Sequence, residues 1–189
     1  DAINIHHTNE IAQSEAASGR KFVNYWVHHA FLMIKDEKMS KSLGNLYTVE
    51  EIIKKGFSPF ALRYLYFQTH YRQEMNFTFE ALDSAQNALN KLYDQIFSWN
   101  ESETGCEEFE SKFFEAINDD LNMPKALAVV WELVKSDYPT SVKAASLFKF
   151  DKVLGLNLKN QIEKFKSEKN EIPQEILNMV IQRNQLRKE

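Results

Sequence analysis

The sequence has 189 residues, of which 43% are hydrophobic and 26% charged, which excludes a disordered or fibrous chain. Its 5 glycines and 4 prolines are too few for an all-β sandwich and favour long helices. One cysteine excludes an internal disulfide, and a net charge of −4 excludes nucleic-acid binding through bulk charge alone. No apolar run reaches the length of a membrane span, so we expect a cytoplasmic protein.

The first predicted elements are a short helix and a buried β-region. Residues 9–18 are rich in helix formers and are followed by Gly19 as a C-cap, which predicts a helix that begins near His6. Residues 22–34 are β-branched and aromatic, which predicts one or two buried strands. Residues 38–47 follow neither hydrophobic period and therefore predict a loop.

Helices are predicted for most of the remaining chain. The capping-box pattern at Thr48 predicts a helix over about 49–55, and Ser58 followed by proline predicts another over about 59–70. Both helices are short. They lie between the predicted loop and the longer periodic segments.

A long amphipathic helix is predicted next, from Thr78 to about residue 98. Its apolar positions, spaced by three and four, are Phe79, Leu82, Ala85, Leu89, Leu92, Tyr93, Ile96 and Phe97. Three further periodic segments follow a predicted loop at 100–108, and Gly155 ends the last of them. Together the four segments predict a four-helix bundle, after which Pro173 opens a final helix.

His6 and Glu10 are the first candidate functional residues. In a helix they lie four residues apart on one face, where an imidazole nitrogen and a carboxylate oxygen can bind the same zinc ion. Two ligands make only half of a site. The alternative is an exposed histidine beside a helix-stabilising glutamate.

The loop Lys38-Met39-Ser40-Lys41-Ser42 is the second candidate. Two lysines three residues apart among small side chains can neutralise a triphosphate as pyrophosphate leaves. The alternative is a solvated basic turn.

Aromatic and basic residues form two weaker candidates. Trp26 and His28 share a face of the predicted strand, where His28 is either a hydrogen-bonded core residue or a contact to substrate at the carboxyl end of the strand. At the end of the predicted second short helix, His70, Tyr71 and Arg72 either meet an RNA backbone or only complement the charge of the helix C-terminus.

Several blocks of sequence together resemble the cysteinyl-tRNA synthetases, a family of class I aminoacyl-tRNA synthetases. They are HHTNEIAQSEAA, FVNYWVHHAFLMIKDEKMSKSLGN, FSPFALRYLYFQTHYR and NDDLNMPKALAVVWELV. The resemblance implies a mainly α fold in three parts. Residues 1–47 would end a Rossmann-like α/β catalytic domain, 48–80 would form stem-contact helices, and 81–189 would form an antiparallel helical bundle that packs along tRNA.

The resemblance also implies the chemistry. Lys41 would be the main stabiliser of adenylate formation from L-cysteine and ATP with Mg²⁺, assisted by Lys38, and the cysteinyl group would pass to the 3′ end of tRNA(Cys). His6 and Glu10 match two of the family's four Zn²⁺ ligands, where zinc separates the cysteine thiolate from the serine hydroxyl.

Other features of the family are not present in these residues. The resemblance places two zinc cysteines and an HIGH-type motif upstream of Asp1, and an anticodon-reading domain beyond the bundle. We therefore expect a chain truncated at both ends, inactive by itself, from an enzyme that is a monomer when intact. Ile5 also stands where the family has proline.

Two alternatives stay open. One is the related ligase that joins cysteine to an amino sugar in mycothiol synthesis, which resembles the same zinc and KMSKS regions. The other is a non-catalytic tRNA-binding module that uses the helical part alone.

Overall fold

The structure, a computed structural model, describes residues 2–34, 37–38, 46–100, 102 and 104–170, with the backbone alone for 2, 37–38 and 165–170. Within these residues the fold is mainly α, as predicted. A π-helical turn, Ala2–His7, opens the chain and continues into the first α-helix. The elements in chain order are α1 Thr8–Ser18, β1 Leu32–Ile34, β2 Glu37–Lys38, α2 Val49–Lys54, α3 Pro59–Phe67, β3 Met75–Phe77, α4 Phe79–Ile96, α5 Glu107–Asn118, α6 Met123–Lys135, α7 Thr140–Leu154 and α8 Leu158–Asn170.

In the described part of the chain, three short strands form a sheet in the order β2-β1-β3. Met33 of β1 lies opposite Lys38 of the antiparallel neighbour β2 and opposite Asn76 of the parallel neighbour β3. Three residues carry too little periodicity to be recognised as a strand, so β3 was not predicted. Its residue Phe77 is buried in the core shared with the helices, so β3 joins the N-terminal part to the rest of the fold.

Regular strand structure begins only at Leu32, so the prediction of buried strands over 22–34 is wrong for residues 22–31. Most side chains of that segment are exposed, and Tyr25 is 88% exposed. Strand propensity reflects how well a side chain fits a half-buried pleated surface, and most of these side chains do not lie on one. Pairing with the neighbouring segment starts where the N–H of Ala30 donates to the carbonyl of Tyr71, at 2.9 Å.

Local capping signals set several helix ends where the sequence predicted them. Gly19 ends α1 with a φ of 63°. Thr48 and Glu51 cap each other at the start of α2, because each side chain accepts a hydrogen bond from the other's backbone N–H. Thr78 accepts from the N–H of Ala81 at 3.1 Å and begins α4. These ends depend on residues within four positions of one another, which is why the sequence reveals them.

Helix α3 begins at Pro59 as predicted but ends at Phe67, earlier than the predicted residue 70. The N–H groups of Gln68 and Thr69 bond to carbonyls three residues back, which tightens and closes the last turn. His70, Tyr71 and Arg72 therefore lie in the turn that leads into β3, and not at a helix terminus.

One apolar core runs through the helices. The inward face of α4 is buried at the predicted positions Leu82, Ala85, Leu89, Leu92, Tyr93 and Ile96, whereas Phe97 is partly exposed. Helix α4 packs on α3 and α8, and α5, α6 and α7 pack on one another. Phe113 of α5 stacks on Phe150 of α7 with ring centroids 4.1 Å apart, and both are fully buried. The prediction that α4 packs directly with α5, α6 and α7 as a four-helix bundle is therefore wrong in its grouping: α4 is joined to them through α3, which also contacts α6, and through α8, which also contacts α7.

Helix α8 includes residues 160–170, whose sequence is polar and only weakly periodic. The carboxylate of Asp151 accepts hydrogen bonds from the N–H groups of Leu156 and Leu158, at 2.8 and 2.7 Å. Both leucines are fully buried, so α8 is anchored at its N-terminal end. The final helix predicted after Pro173 lies outside the described residues.

Candidate active site

His6 and Glu10 lie on one helical face at the start of the chain. His6 is in the π-helical turn and Glu10 is in the first turn of α1, and the helix is continuous because His7 keeps helical angles of −71° and −31°. The Nε2 atom of His6 is 3.3 Å from the Oε1 atom of Glu10. Both side chains reach solvent, with 69% and 41% of their surfaces exposed.

This spacing fits a shared zinc ion. Two ligand atoms, each about 2.0–2.1 Å from a tetrahedral zinc, lie about 3.3–3.4 Å from each other. The imidazole nitrogen and the carboxylate oxygen are both ligands that zinc accepts, and both are open to an incoming ion. A direct hydrogen bond between the two side chains also fits 3.3 Å. The pair therefore has the geometry of half a zinc site.

His7 is a third possible metal ligand beside His6 and Glu10. Among the described residues, the potential ligand atoms of these three side chains all lie within 4.8 Å of one another. The Nδ1 atom of His7, however, lies 2.8 Å from Nε2 of His28, in a hydrogen bond whose direction depends on the tautomers. His7 therefore connects the helix to residues 22–31.

An aromatic cluster of His7, Trp26 and His28 lies beside the pair of His6 and Glu10, which we call the half-site. The ring of Trp26 stacks on His7 with centroids 4.4 Å apart, and it lies nearly parallel to the ring of His28, at 6.2 Å and 14°. Trp26 and His28 thus lie side by side although no strand holds them. The ring of His6 is 5.4 Å from that of His7, so both candidate substrate residues are close to the half-site.

The candidate ATP loop at residues 38–42, which we call the lysine loop, is described by the structure only at its first residue. The backbone of Lys38 ends β2 opposite Met33 of β1. Met39, Ser40, Lys41 and Ser42 lie outside the described residues, so their predicted contact with a triphosphate stays a prediction. Strand β1 follows directly on the segment that carries His28, and it is therefore the covalent connection between the aromatic cluster and the loop.

A polar cluster that the sequence did not predict joins the turn before β3 to the corner between α5 and α6. The carboxylate of Asp120 accepts hydrogen bonds from the hydroxyl of Tyr71, at 2.6 Å, and from Nε and Nη2 of Arg72, at 2.6 and 3.2 Å. Its carbonyl oxygen lies 3.1 Å from Nε2 of His70. We name these four residues the corner clasp. Its partners are 48 to 50 residues apart, so no local pattern reveals it.

The corner clasp has shifted pKa values and an unusual backbone conformation. Hydrogen bonds from Arg72 and Tyr71 lower the pKa of Asp120 to about 2. The same contacts raise the pKa of the Tyr71 hydroxyl and of the Arg72 guanidinium. Asp120 and Leu121 both have a φ of 53°, a left-handed conformation that residues other than glycine rarely adopt. The clasp is thus charged at neutral pH and holds an unusual backbone.

Two family models match parts of this chain. Residues 1–87 match the model described as "tRNA synthetases class I (C) catalytic domain", and residues 112–136 match the model described as "DALR domain". The first match includes the half-site, the aromatic cluster and the lysine loop, and the second includes Asp120. The chain is therefore related to the class I aminoacyl-tRNA synthetases.

Comparison with curated proteins narrows the class. "Cysteine--tRNA ligase 1" of Burkholderia lata is 43% identical over 160 residues, which are 84% of this chain and 34% of the relative. "Cysteine--tRNA ligase" of Caldicellulosiruptor saccharolyticus and of Thermococcus gammatolerans are 38% and 36% identical over the whole chain. This chain belongs to the cysteinyl-tRNA synthetase family, and the family resemblance seen in its sequence is confirmed.

The chain spans only part of these relatives, from 34% of the Burkholderia lata protein to 45% of the Thermococcus gammatolerans protein. No helix in the described residues is both long and apolar enough to cross a membrane.

Proposed function

We propose that the protein attaches cysteine to tRNA(Cys) in an ATP-dependent reaction. The observation that carries the proposal is the 3.3 Å approach of His6 and Glu10 within the segment that matches a class I catalytic domain. The cysteine carboxylate attacks the α-phosphate of ATP, which is bound with Mg²⁺, and gives cysteinyl-adenylate and pyrophosphate. The cysteinyl group then passes to the 3′-terminal adenosine of the tRNA. Such chemistry depends mainly on positioning and charge neutralisation.

His6 and Glu10 supply two of the ligands for zinc in this proposal. Bound zinc provides a soft site that prefers a thiolate to a hydroxyl, which distinguishes cysteine from serine. The hydrogen bond between His7 and His28 holds the ligand helix against the segment that carries the proposed substrate residue Trp26. The orientation of the half-site toward substrate thus depends on this aromatic cluster.

The lysine loop is proposed to contact ATP. Lys41 neutralises the charge that develops as pyrophosphate leaves, Lys38 assists, and Met39, Ser40 and Ser42 complete the loop. The pairing of β2 with β1 supports this assignment, because it places the first residue of the loop beside the strand that follows the segment with Trp26 and His28.

We propose the same division of roles along the chain as the resemblance implies. Residues 1–47 belong to the catalytic domain, 48–80 form the stem-contact junction, and 81–189 form the bundle that packs along tRNA. Residues 1–80 carry nine basic and nine acidic side chains, so the acidic excess lies in the bundle. Contact with tRNA therefore relies on local basic groups and shape. Aminoacylation of tRNA for protein synthesis is consistent with a cytoplasmic location.

The full-length protein tests the proposal. We expect cysteine-dependent exchange of pyrophosphate into ATP and cysteinylation of tRNA(Cys), with serine as a poor substrate in both assays. The variant His6→Ala should lower cysteine activation without loss of helical circular dichroism. Transfer of activated cysteine to an amino sugar in place of tRNA would contradict the proposal, as would tRNA binding with no ATP-dependent activity.

A further inference from the structure

The corner clasp holds the α5–α6 corner against the segment that pairs with β1. On one side, the side chains of Tyr71 and Arg72 bond to the carboxylate of Asp120. On the other side, the carbonyl of Tyr71 accepts the N–H of Ala30, two residues before β1 begins. The turn 70–72 therefore contacts the bundle and the catalytic part at the same time.

The backbone of the corner indicates that the position of the carboxylate matters. Asp120 and Leu121 are consecutive left-handed residues, and such strain persists only where the surroundings hold it. A glycine could adopt this conformation at lower cost, but it would lack the carboxylate that Arg72 and Tyr71 bind.

The clasp consists of directional contacts. Apolar contacts between the helices hold the parts together, and the hydrophobic effect that drives them has no preferred direction by itself. A guanidinium that donates from two nitrogens to one carboxylate allows only a narrow range of angles. Asp120 therefore adds an oriented, solvent-exposed contact between the α5–α6 corner and the turn that bonds to Ala30.

We propose that Asp120 is a positioning residue that orients the helical bundle relative to β1, so that tRNA bound along the bundle presents its 3′ end to the site of activation. This rests on the proposed function. Adenylate formation uses groups of the catalytic part alone, whereas transfer needs an RNA that spans both parts. Loss of the clasp should therefore impair transfer and spare activation.

The test compares the two half-reactions in the full-length enzyme carrying Asp120→Asn. Asparagine keeps the shape and tolerates the left-handed backbone, but it lacks the charge and the second acceptor oxygen. We expect cysteine-dependent pyrophosphate exchange within about twofold of wild type, and kcat/KM for tRNA lowered about 10- to 100-fold by misplacement of the reacting end.

Two further variants keep the test informative if Asp120→Asn does not fold. Arg72→Lys keeps the positive charge but lacks the paired donors, and Tyr71→Phe removes one hydrogen bond and keeps the ring. Both should lower transfer more than activation. Glu108→Gln is the matched control, because it breaks the exposed pair between Glu108 and Lys112 on α5 and leaves the clasp intact. It should change neither reaction.

Equal loss of both half-reactions in the clasp variants would assign Asp120 to general support of the fold and overturn the proposal. Unchanged transfer in folded Asp120→Asn enzyme would overturn it as well. If wild-type enzyme shows no cysteine-dependent exchange, the proposed function fails, and this is visible without any variant.

Discussion

Trp131 on α6 donates its indole N–H to the hydroxyl oxygen of Tyr64 on α3, at 2.8 Å. Tyr64 is only 2% exposed, and burial raises the pKa of its hydroxyl. This hydrogen bond joins a helix within the catalytic-domain match to a helix within the DALR match. The two matched regions are therefore connected by a partly buried polar contact as well as by the corner clasp.

Substitution of Trp131 by phenylalanine should destabilise the protein. It leaves the hydroxyl of Tyr64 buried without this donor, which costs about 1–3 kcal/mol in the free energy of unfolding. Denaturant titration of the full-length protein measures the change. Adding Tyr64→Phe to Trp131→Phe removes the buried hydroxyl and should cost little more. Fully additive losses would show that the two side chains act independently.

Lys143 caps the end of α6 from α7. It is 7% exposed, its Nζ atom donates to the carbonyls of Val134 and Ser136 at 3.0 and 2.9 Å, and it lies 4.9 Å from the ring centroid of Trp99. Lys143→Met keeps an apolar stem but removes the donor from both carbonyls, so we expect a loss of about 1–3 kcal/mol in unfolding free energy. Exposed Lys152 on the same helix is the control, and Lys152→Met should change stability by less than about 0.5 kcal/mol.

The stabilising effect of Asp120 should be lost in acid. Its pKa is about 2 in the folded protein and about 3.9 in an unfolded chain. A lowered pKa stabilises the fold above the unfolded value, and this contribution is lost as pH falls toward 2. The difference in Tm between wild type and Asp120→Asn should therefore shrink as pH falls below about 4 toward 2. A difference that stays unchanged down to about pH 2 would contradict this assignment.

Zinc content separates the roles of the two adjacent histidines. His6→Ala and Glu10→Gln should each weaken zinc binding in the full-length protein, because each removes a proposed ligand. His7→Ala should retain bound zinc, since His6 already supplies the single histidine of the proposed ligand set. Metal analysis after dialysis measures the content. Equal zinc loss in His7→Ala and His6→Ala would mean that His7 is a ligand too.

The lysine loop has a kinetic test. Lys41→Ala in the full-length enzyme should raise the barrier to adenylate formation by about 2–4 kcal/mol, as expected for loss of one transition-state donor. Single-turnover measurement of adenylate formation checks this. The affinity of the Lys41→Ala enzyme for tRNA should stay unchanged. Lys54→Ala, at the exposed end of α2, is the control and should keep the wild-type rate. An unchanged rate in Lys41→Ala would refute the role of the loop.

The fold was predictable from the sequence where its causes are local. Thr78 and Gly155 mark the start of α4 and the end of α7 because caps involve residues within one turn. The pairing of His6 with Glu10 was predictable for the same reason, since residues four apart share a helical face. The end of α3 was not, because His70 and Tyr71 make their contacts with Asp120, far along the chain.

The sequence by itself determined helices α1 to α7, the buried face of α4, the family and the residue types that carry the proposed chemistry. Only the tertiary structure decided which distant groups meet: β1 with β3, His7 with His28, and Arg72 with Asp120. The physical reason is that helix caps and amphipathic faces depend on neighbours within one or two turns. Parallel pairing and charged clasps depend on how the whole chain packs, and no local pattern encodes that packing.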